Sequence, residues 1–143
     1  MTQEHKELLL KDLCARLPHG VKVNADYINF NRDGKLFSIN NNEELIISPE
    51  KGYSFDVAIE KCKPYLFPLS NMTEEQKQFF NNLPIGIDKY GDISTKDDLS
   101  GNSLYTDLEL YLEVIDWLNK NHFDYRGLIE KGLAIDATGL NIY

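Results

Sequence analysis

The amino-acid sequence predicts an α+β protein in which an N-terminal helix and C-terminal helices pack on an antiparallel β-sheet. Three observations support this fold class. Residues 3–17 and 104–118 carry apolar side chains at the spacing of one helix face. Residues 21–69 alternate apolar and polar side chains in short runs that are separated by turn-forming residues. We therefore expect a five-stranded antiparallel meander, either as a curved sheet or as a small, partly open barrel.

The whole chain, residues 1–143, is expected to form a single domain. A chain of this length buries roughly two thirds of its unfolded surface and needs no disulfide or metal to hold its core. The predicted parts are a helix at 1–20, the β-meander and an extended strap at 21–69, a helix at 72–84, a loop at 85–103, a central helix and a short helix at 104–137, and a tail at 138–143.

The first helix is predicted to bury an apolar face and to expose its polar residues, Asp12 among them. The sequence Pro18-His19-Gly20 ends the helix. Cys14 lies on the apolar face, so both it and Cys62 are expected to be buried as small apolar side chains. The apolar face consists of Leu9, Leu10, Leu13, Cys14 and Leu17.

The strands of the meander are predicted from their turns. Asp33-Gly34 lies between two apolar runs, a strong signal for a hairpin. Residues 40–42 and 49–52 predict two further turns. Pro64 and Pro68 restrict the residues before them to extended geometry. Residues 63–69 are therefore expected to form an edge strand or a strap that leaves the sheet.

A helix is predicted after the strap, because Thr73 and Gln76 have the spacing of a capping box, and this helix ends at Pro84. Residues 85–103 are rich in Gly, Asp and Ser and show no sustained period, so we expect a long loop. The central helix has a second capping-box spacing, from Thr106 to Glu109. Its apolar arc is wide, and we expect the rest of the chain to wrap around it.

The C-terminal region is predicted to fold back onto the central helix. Asp124 is expected to cap a short helix of about two turns through Lys131, with Gly132 as its left-handed end. Residues 138–143 are expected to be a loosely held tail.

Composition limits the classes of partner. The formal net charge is −8, and the 15 Lys and Arg residues are scattered among acids. This disfavours direct nucleic-acid binding, which depends on neutralising phosphates. No apolar run approaches the roughly 18 residues of a membrane span, and acids precede the first leucine run, unlike in a signal peptide. With only two cysteines, we expect a cytoplasmic protein that does not bind membranes.

Common catalytic and cofactor motifs do not occur in the sequence. It contains neither a glycine-rich phosphate-binding motif nor a recognisable zinc ligand set nor a Gly-x-Ser-x-Gly nucleophile motif. The acids of the 85–103 loop lack the spacing of a calcium-binding loop. We therefore expect no enzymatic activity, no metal and no cofactor. The acids considered for calcium are Asp88, Asp92, Asp97 and Asp98.

Three stretches carry a resemblance to a known family. They are KELLLKDLCARLPHGVKV near the start, IEKCKPYLFPLSNMTEEQK in the middle and WLNKNHFDYRGLIEKGLAIDA near the end. Together they resemble a family of short, uncharacterised proteins of gut bacteria, encoded mostly in prophage-like regions. The resemblance covers most of the chain outside residues 84–103. It implies a cytoplasmic, phage-linked setting, and because the family has no assigned activity it implies no chemistry.

One cluster is a candidate interaction surface, because it combines a titratable histidine, two aromatic residues and an arginine, side-chain types enriched at binding hot spots. In the alternative interpretation, Phe123 and Tyr125 hold the short helix on the core, Asp124 caps it and Arg126 pairs locally. The cluster consists of His122, Phe123, Asp124, Tyr125 and Arg126.

Three functional hypotheses follow from these observations. The leading one is a small non-enzymatic module of phage or prophage origin that binds an unknown protein partner. The second is an enzyme without a linear motif, in which His122 is the general base and Asp124 orients it. The third is an acidic mimic of nucleic acid that binds a basic partner.

Overall fold

Helix α1 covers Gln3–Arg16 and confirms the predicted N-terminal helix. A computed structural model describes residues 1–82, 85–87, 93–95 and 104–143. The hydroxyl of Thr2 accepts a hydrogen bond from the backbone N–H of His5 and caps the start of α1. A 3-10 turn at Leu17–His19 follows. Gly20 ends it with a left-handed φ of 70°, which glycine adopts without strain.

The strands and the remaining helices alternate along the chain. In order, they are β1 (Lys22–Tyr27), β2 (Phe30–Ile39), β3 (Glu44–Ser48), β4 (Phe55–Ala58), β5 (Cys62–Pro68), α2 (Glu74–Asn81), β6 (Ile85–Ile87), β7 (Ile93–Thr95), α3 (Leu104–Lys120), β8 (Phe123–Asp124) and β9 (Ile135–Asp136).

In the described part of the chain, seven of these strands form one open, mixed sheet. The order is β4-β3-β2-β1-β5-β8, and β9 also pairs with β5. Strands β1 to β4 form the expected antiparallel meander, and β5 returns to pair antiparallel with β1. Strands β8 and β9 run parallel to β5. The α+β class is confirmed, whereas the prediction of five strands, all antiparallel, was wrong in number and direction.

The first hairpin turns at a different place from the one predicted. Ile28 and Asn29 form the turn, and both have left-handed φ angles, of 50° and 66°, as in the type I′ turns that join two-residue hairpins. Asp33-Gly34 instead lies within β2, opposite β1. A Cβ atom on Gly34 would lie 2.5 Å from Cγ2 of Ile47. The glycine is therefore needed for close packing of β2 rather than for a turn.

Strand β5 is an interior strand, so the prediction of an edge strand or strap at residues 63–69 was wrong. Residues 62–64 pair with β1, and residues 65–68 pair with β9 and β8. The backbone N–H of Phe67 donates to the carbonyl of His122 at 2.9 Å, and the N–H of Ala137 donates to the carbonyl of Leu66 at 2.8 Å. Because each neighbouring strand pairs with only part of β5, this interior strand can accommodate two prolines.

Among the described residues, the larger core lies between α1 and the sheet, not around α3. Helix α3 and β8 carry a second, smaller cluster, and Leu112 of α3 remains 59% exposed. The expectation that the chain wraps around this helix was therefore wrong. Thr106 lies two residues inside α3, so it does not form the predicted N-cap. Buried members of the main core include Leu9, Leu13, Val21, Val23, Leu36, Leu45, Ile47, Ile59, Leu66 and Leu128.

Predictions for the middle of the chain had mixed outcomes. The capping box of α2 is present as expected, with Thr73 and Gln76 each accepting a backbone hydrogen bond. Residues 85–103 were predicted to be a loop, but in the described part of this range β6 and β7 pair antiparallel. The four acids considered for calcium lie outside the described residues.

Cys62 is buried as expected, whereas Cys14 is exposed, because α1 turns Leu13 and Arg16 inward instead.

The C-terminal region is held by turns rather than by a short helix. Residues 125–134 form turns and bends, so the predicted two-turn helix is absent from this described segment. Gly132 does adopt the expected left-handed conformation, with φ 71°. The tail is not loosely held, because the hydroxyl of Tyr143 accepts from the N–H of Lys22 at 3.0 Å and donates to the carbonyl of Tyr65 at 2.9 Å. This hydroxyl bridges β1 and β5.

We expect Tyr143→Phe to lower the free energy of unfolding by about 1–2 kcal/mol, because two backbone groups lose their hydrogen-bond partner. Urea denaturation measures the change. The matched control is Tyr53→Phe, which alters a tyrosine that is 94% exposed and should leave stability unchanged. Equal stability of Tyr143→Phe and the wild type would show that the tail is not anchored by this hydroxyl.

Candidate functional site

Residues 122–126 follow α3 directly and contain every residue of the predicted interaction surface. His122 has a left-handed φ of 60°, which reverses the chain at the end of the helix. The chain then enters β8, where Phe123 lies opposite Phe67 and Asp124 lies opposite Pro68. This pairing with β5 fixes the directions of the Phe123 and Asp124 side chains.

Phe123 and Asp124 point into the protein. The ring of Phe123 stacks on Trp117 at a centroid distance of 5.7 Å. The carboxylate of Asp124 is buried and accepts two backbone hydrogen bonds, from the N–H of Leu128 at 2.9 Å and of Ile129 at 2.8 Å. Asp124 therefore caps a turn, where the sequence predicted that it would cap a helix.

Tyr125 and Arg126 join a buried polar network. The hydroxyl of Tyr125 donates to Asn119 Oδ1 at 3.1 Å and lies 2.9 Å from Arg126 Nη2, which donates to it. The guanidinium of Arg126 also lies over the Tyr125 ring, 5.0 Å from its centroid. Phe123, Asp124 and Tyr125 are all buried. The five residues therefore do not present one shared exposed surface.

An ion pair in α1 is the centre of this network. Arg16 Nε donates to Asp12 Oδ2 at 2.7 Å, and Arg16 Nη2 donates to Asp12 Oδ1 at 3.1 Å. Nη2 also donates to the backbone carbonyl of Phe123 at 2.7 Å. Both side chains of the pair are fully buried, and Arg126 Nε lies 3.8 Å from Asp12 Oδ1. The network therefore combines one carboxylate with two guanidinium groups.

Sequence reasoning placed Asp12 on the solvated face of α1, and this was wrong. Asp12 and Arg16 are four residues apart, the spacing at which opposite charges meet on one helix face. Arg16 lies on the same face as the buried Leu9 and Leu13. This combination of spacing and face is the signal that could have identified a buried pair.

His122 is half-buried and its ring lies flat against Tyr143, with a centroid distance of 3.8 Å and an angle of 10° between the rings. Burial lowers the pKa of His122 to about 4, and the positive charges of Arg16 and His19 act in the same direction. The imidazole is therefore neutral near pH 7. Both carboxylate oxygens of Asp124 accept backbone hydrogen bonds, so they are occupied elsewhere than on His122.

A second feature, which the sequence analysis did not identify, lies at the end of the β1–β2 hairpin. Ile28 and Phe30 at the turn are 68% and 72% exposed, and Tyr53 in the loop before β4 is 94% exposed. Arg32 lies two residues beyond Phe30, and its side chain approaches Gly52, the residue before Tyr53. A Cβ atom built on Gly52 would lie 3.6 Å from Arg32 Nη2. We call Ile28, Phe30 and Tyr53 the hairpin surface.

The base of the hairpin is rigidly supported. The ring of Tyr27 packs on Phe55 at a centroid distance of 4.5 Å. The guanidinium of Arg32 lies over the same Phe55 ring, 4.9 Å from its centroid. These two contacts of Phe55 join β1, β2 and β4 next to the turn, so the exposed apolar side chains lie on a packed base.

Within residues 1–82, 85–87, 93–95 and 104–143, no three His, Cys, Asp or Glu side chains are grouped so that they could hold a metal ion. No helix among these residues is long and apolar enough to cross a membrane. Burial raises the pKa of the Cys62 thiol to about 12, so this cysteine remains a protonated core side chain.

Comparisons of the chain with protein-family models, with curated proteins and with solved structures found no match. The resemblance to prophage-associated proteins therefore stays a prediction.

We expect Asp12→Ala to lower the free energy of unfolding by about 3–5 kcal/mol, because it leaves the buried Arg16 without its counter-charge. The neighbouring Lys11→Ala is the matched control in the same helix turn, and this exposed position should change stability by less than about 0.5 kcal/mol. The double variant Asp12→Leu with Arg16→Met should lose less stability than Asp12→Ala alone. Equal unfolding midpoints for Asp12→Ala and Lys11→Ala would contradict the structural role of the pair.

We expect the protein to lose stability as the pH falls from about 6.5 towards 4. In this window the unfolded chain protonates His122 at its ordinary pKa of 6.5, whereas the folded chain does so only near its pKa of about 4. The free energy of unfolding therefore decreases with decreasing pH. Urea denaturation at several pH values measures the slope, and His122→Asn, which tolerates the left-handed backbone, should reduce it. An NMR titration midpoint of His122 near 6.5 would refute this expectation.

Proposed function

We propose that the protein is a non-enzymatic interaction module that binds a protein partner in the cytoplasm of a bacterial cell through the hairpin surface. The partner presents an apolar groove into which the side chains of Ile28 and Phe30 insert. The setting rests on the resemblance to prophage-associated proteins, and the mode of binding rests on the exposed hairpin.

The exposure of three large apolar side chains at one end of the sheet is the observation that carries this proposal. Single exposed apolar residues are common on protein surfaces. Here Ile28 is the first residue of the two-residue turn and Phe30 follows the turn directly, and Tyr53 follows Gly52, which lies near the Arg32 side chain of the same hairpin. Groups of exposed apolar and aromatic side chains are typical of binding surfaces.

The backbone of Ile28 adds a second, independent argument. Its φ of 50° is left-handed, a conformation that is unfavourable for β-branched residues and that type I′ turns normally assign to Asn, Asp or Gly. Such strain costs about 1–3 kcal/mol. An isoleucine at this position thus lowers folding stability while it exposes an apolar side chain. Both consequences are explained if Ile28 contacts a partner.

The enzymatic alternative has less support from the geometry. A general base must be able to take up a proton near neutral pH, but burial holds the pKa of His122 near 4. Asp124 is engaged by two backbone N–H groups of the following turn and does not orient the imidazole.

We expect a photo-crosslinking amino acid at position 30 to capture one protein of defined mass in cells. The matched control is the same crosslinker at Leu112, an apolar residue of α3 that is 59% exposed. With the purified partner, Phe30→Ser should weaken binding by about 30-fold, the loss expected of a hot-spot residue. Leu112→Ser should bind like the wild type.

Ile28→Asn separates binding from folding. Asparagine fits the left-handed turn, so this variant should gain about 1 kcal/mol of stability while it loses affinity for the partner. A rise in unfolding midpoint together with unchanged affinity would remove Ile28 from the interface. Unchanged affinity of Phe30→Ser as well would overturn the proposal.

A further inference from the structure

The face of the sheet that points away from α1 carries a concave region, which we call the outer basin. Its volume is about 710 Å³, and its lining includes Lys22, Lys35, Lys51, Asp33, Tyr65 and Ile142. Lys22 on β1 and Lys35 on β2 are direct cross-strand partners. Like charges directly opposite each other destabilise a sheet, so this pair opposes folding.

The charge of the basin is opposite to that of the whole chain. Three lysine side chains, those of Lys22, Lys35 and Lys51, line it against the two acids Asp33 and Glu50, while Arg32 contributes to the lining but directs its guanidinium onto the Phe55 ring. The chain as a whole has a formal net charge of −8. Within the described residues, the one ion pair of the basin joins Lys22 to Glu50 at 3.8 Å, and that glutamate side chain is 89% exposed. Lys35 and Lys51 have no carboxylate within 4.0 Å among these residues.

The floor of the basin is ordered by hydrogen bonds. Asp33 Oδ1 accepts from the hydroxyl of Tyr65 at 2.7 Å and from Asn24 Nδ2 at 2.8 Å. Burial and the neighbouring Asp33 raise the pKa of Tyr65 to about 12, so this hydroxyl remains a donor. The hydroxyl of Tyr143 fixes the backbone of Lys22. Lys22 and Lys35 are therefore presented from paired strands, and Lys51 from the loop between β3 and β4.

We propose that the outer basin binds a small phosphorylated molecule that carries two or more negative charges, with Lys22, Lys35 and Lys51 as its cationic contacts. Binding would neutralise the repulsion between Lys22 and Lys35. The site is separate from the hairpin surface and does not depend on the proposed protein partner.

The dimensions and the charge of the surroundings favour a small ligand over a nucleic acid. Pockets for small molecules have volumes of roughly 300–1,000 Å³, and the outer basin falls within this range. A polymer would extend beyond the basin onto a surface whose overall charge is negative, which opposes binding of phosphate chains. Asp33 and Glu50 restrict the number of phosphate charges that the basin accepts.

Isothermal titration calorimetry of the full chain with pyrophosphate at constant ionic strength tests the proposal. Lys35→Ala and Lys51→Ala should each weaken binding about tenfold, the effect of losing one charge-assisted contact. Lys11→Ala is the matched control on the opposite side of the sheet and should bind like the wild type. Asp33→Asn should bind more tightly than the wild type, because it removes a negative charge from the floor and retains an oxygen that accepts from Tyr65.

Thermal melts test whether each variant remains folded. We expect the two lysine variants to do so, because both lysines are exposed. Phe30→Ser should bind pyrophosphate normally, which separates this site from the hairpin surface. Absence of pyrophosphate binding, equal losses in Lys35→Ala and Lys11→Ala, or weaker binding by a folded Asp33→Asn would each overturn the proposal. If a short single-stranded oligonucleotide bound more strongly than pyrophosphate at the same ionic strength, the proposed small ligand would be wrong and a nucleic acid would be the ligand instead.

Discussion

The buried ion pair between Asp12 and Arg16 is the interaction on which the rest of the structure depends. Both side chains are completely removed from solvent, and a charge in such a position costs several kcal/mol unless its surroundings compensate for it. Asp12 supplies the counter-charge from within the same helix. The third strong contact is the carbonyl of Phe123, 107 residues further along the chain. The buried pair therefore joins α1 directly to the segment that follows α3.

This requirement explains why the segment 122–126 is structural despite its composition. The carbonyl of Phe123 must face Arg16, and its ring then enters the smaller core beside Trp117. The ring of Tyr125 lies over the guanidinium of Arg16, with 5.5 Å between the ring centroid and Arg16 Cζ. The left-handed backbone at His122 is the geometry that allows α3 to end and this strand to begin. Aromatic and charged residues here join two apolar clusters through one polar network.

Features with local causes could be predicted from the sequence, whereas features with distant causes could not. The apolar face of α1 and the capping box at Thr73 depend on residues within one or two helical turns. The hairpin was misplaced because Asp33-Gly34 resembles a turn, while the glycine is required by Ile47 on another strand. Strands β8 and β9 have two residues each, too few to show a period. Nothing near Asp12 in sequence indicates that Phe123 will complete its burial.

The same reasoning indicates where binding is best sought on this protein. Sequences usually satisfy local rules of turn chemistry and charge pairing, and exceptions concentrate at functional sites. In the buried network Asp12 and Arg16 pair as these rules require, whereas Nη1 of Arg16 and Nη1 of Arg126 have no hydrogen-bond partner among the described residues. Two exceptions on the surface bear on binding: the left-handed, β-branched Ile28 and the cross-strand pair of Lys22 and Lys35. Each lowers the stability of the free protein, and each would be relieved or used by a bound molecule of the matching chemistry, apolar in the first case and anionic in the second.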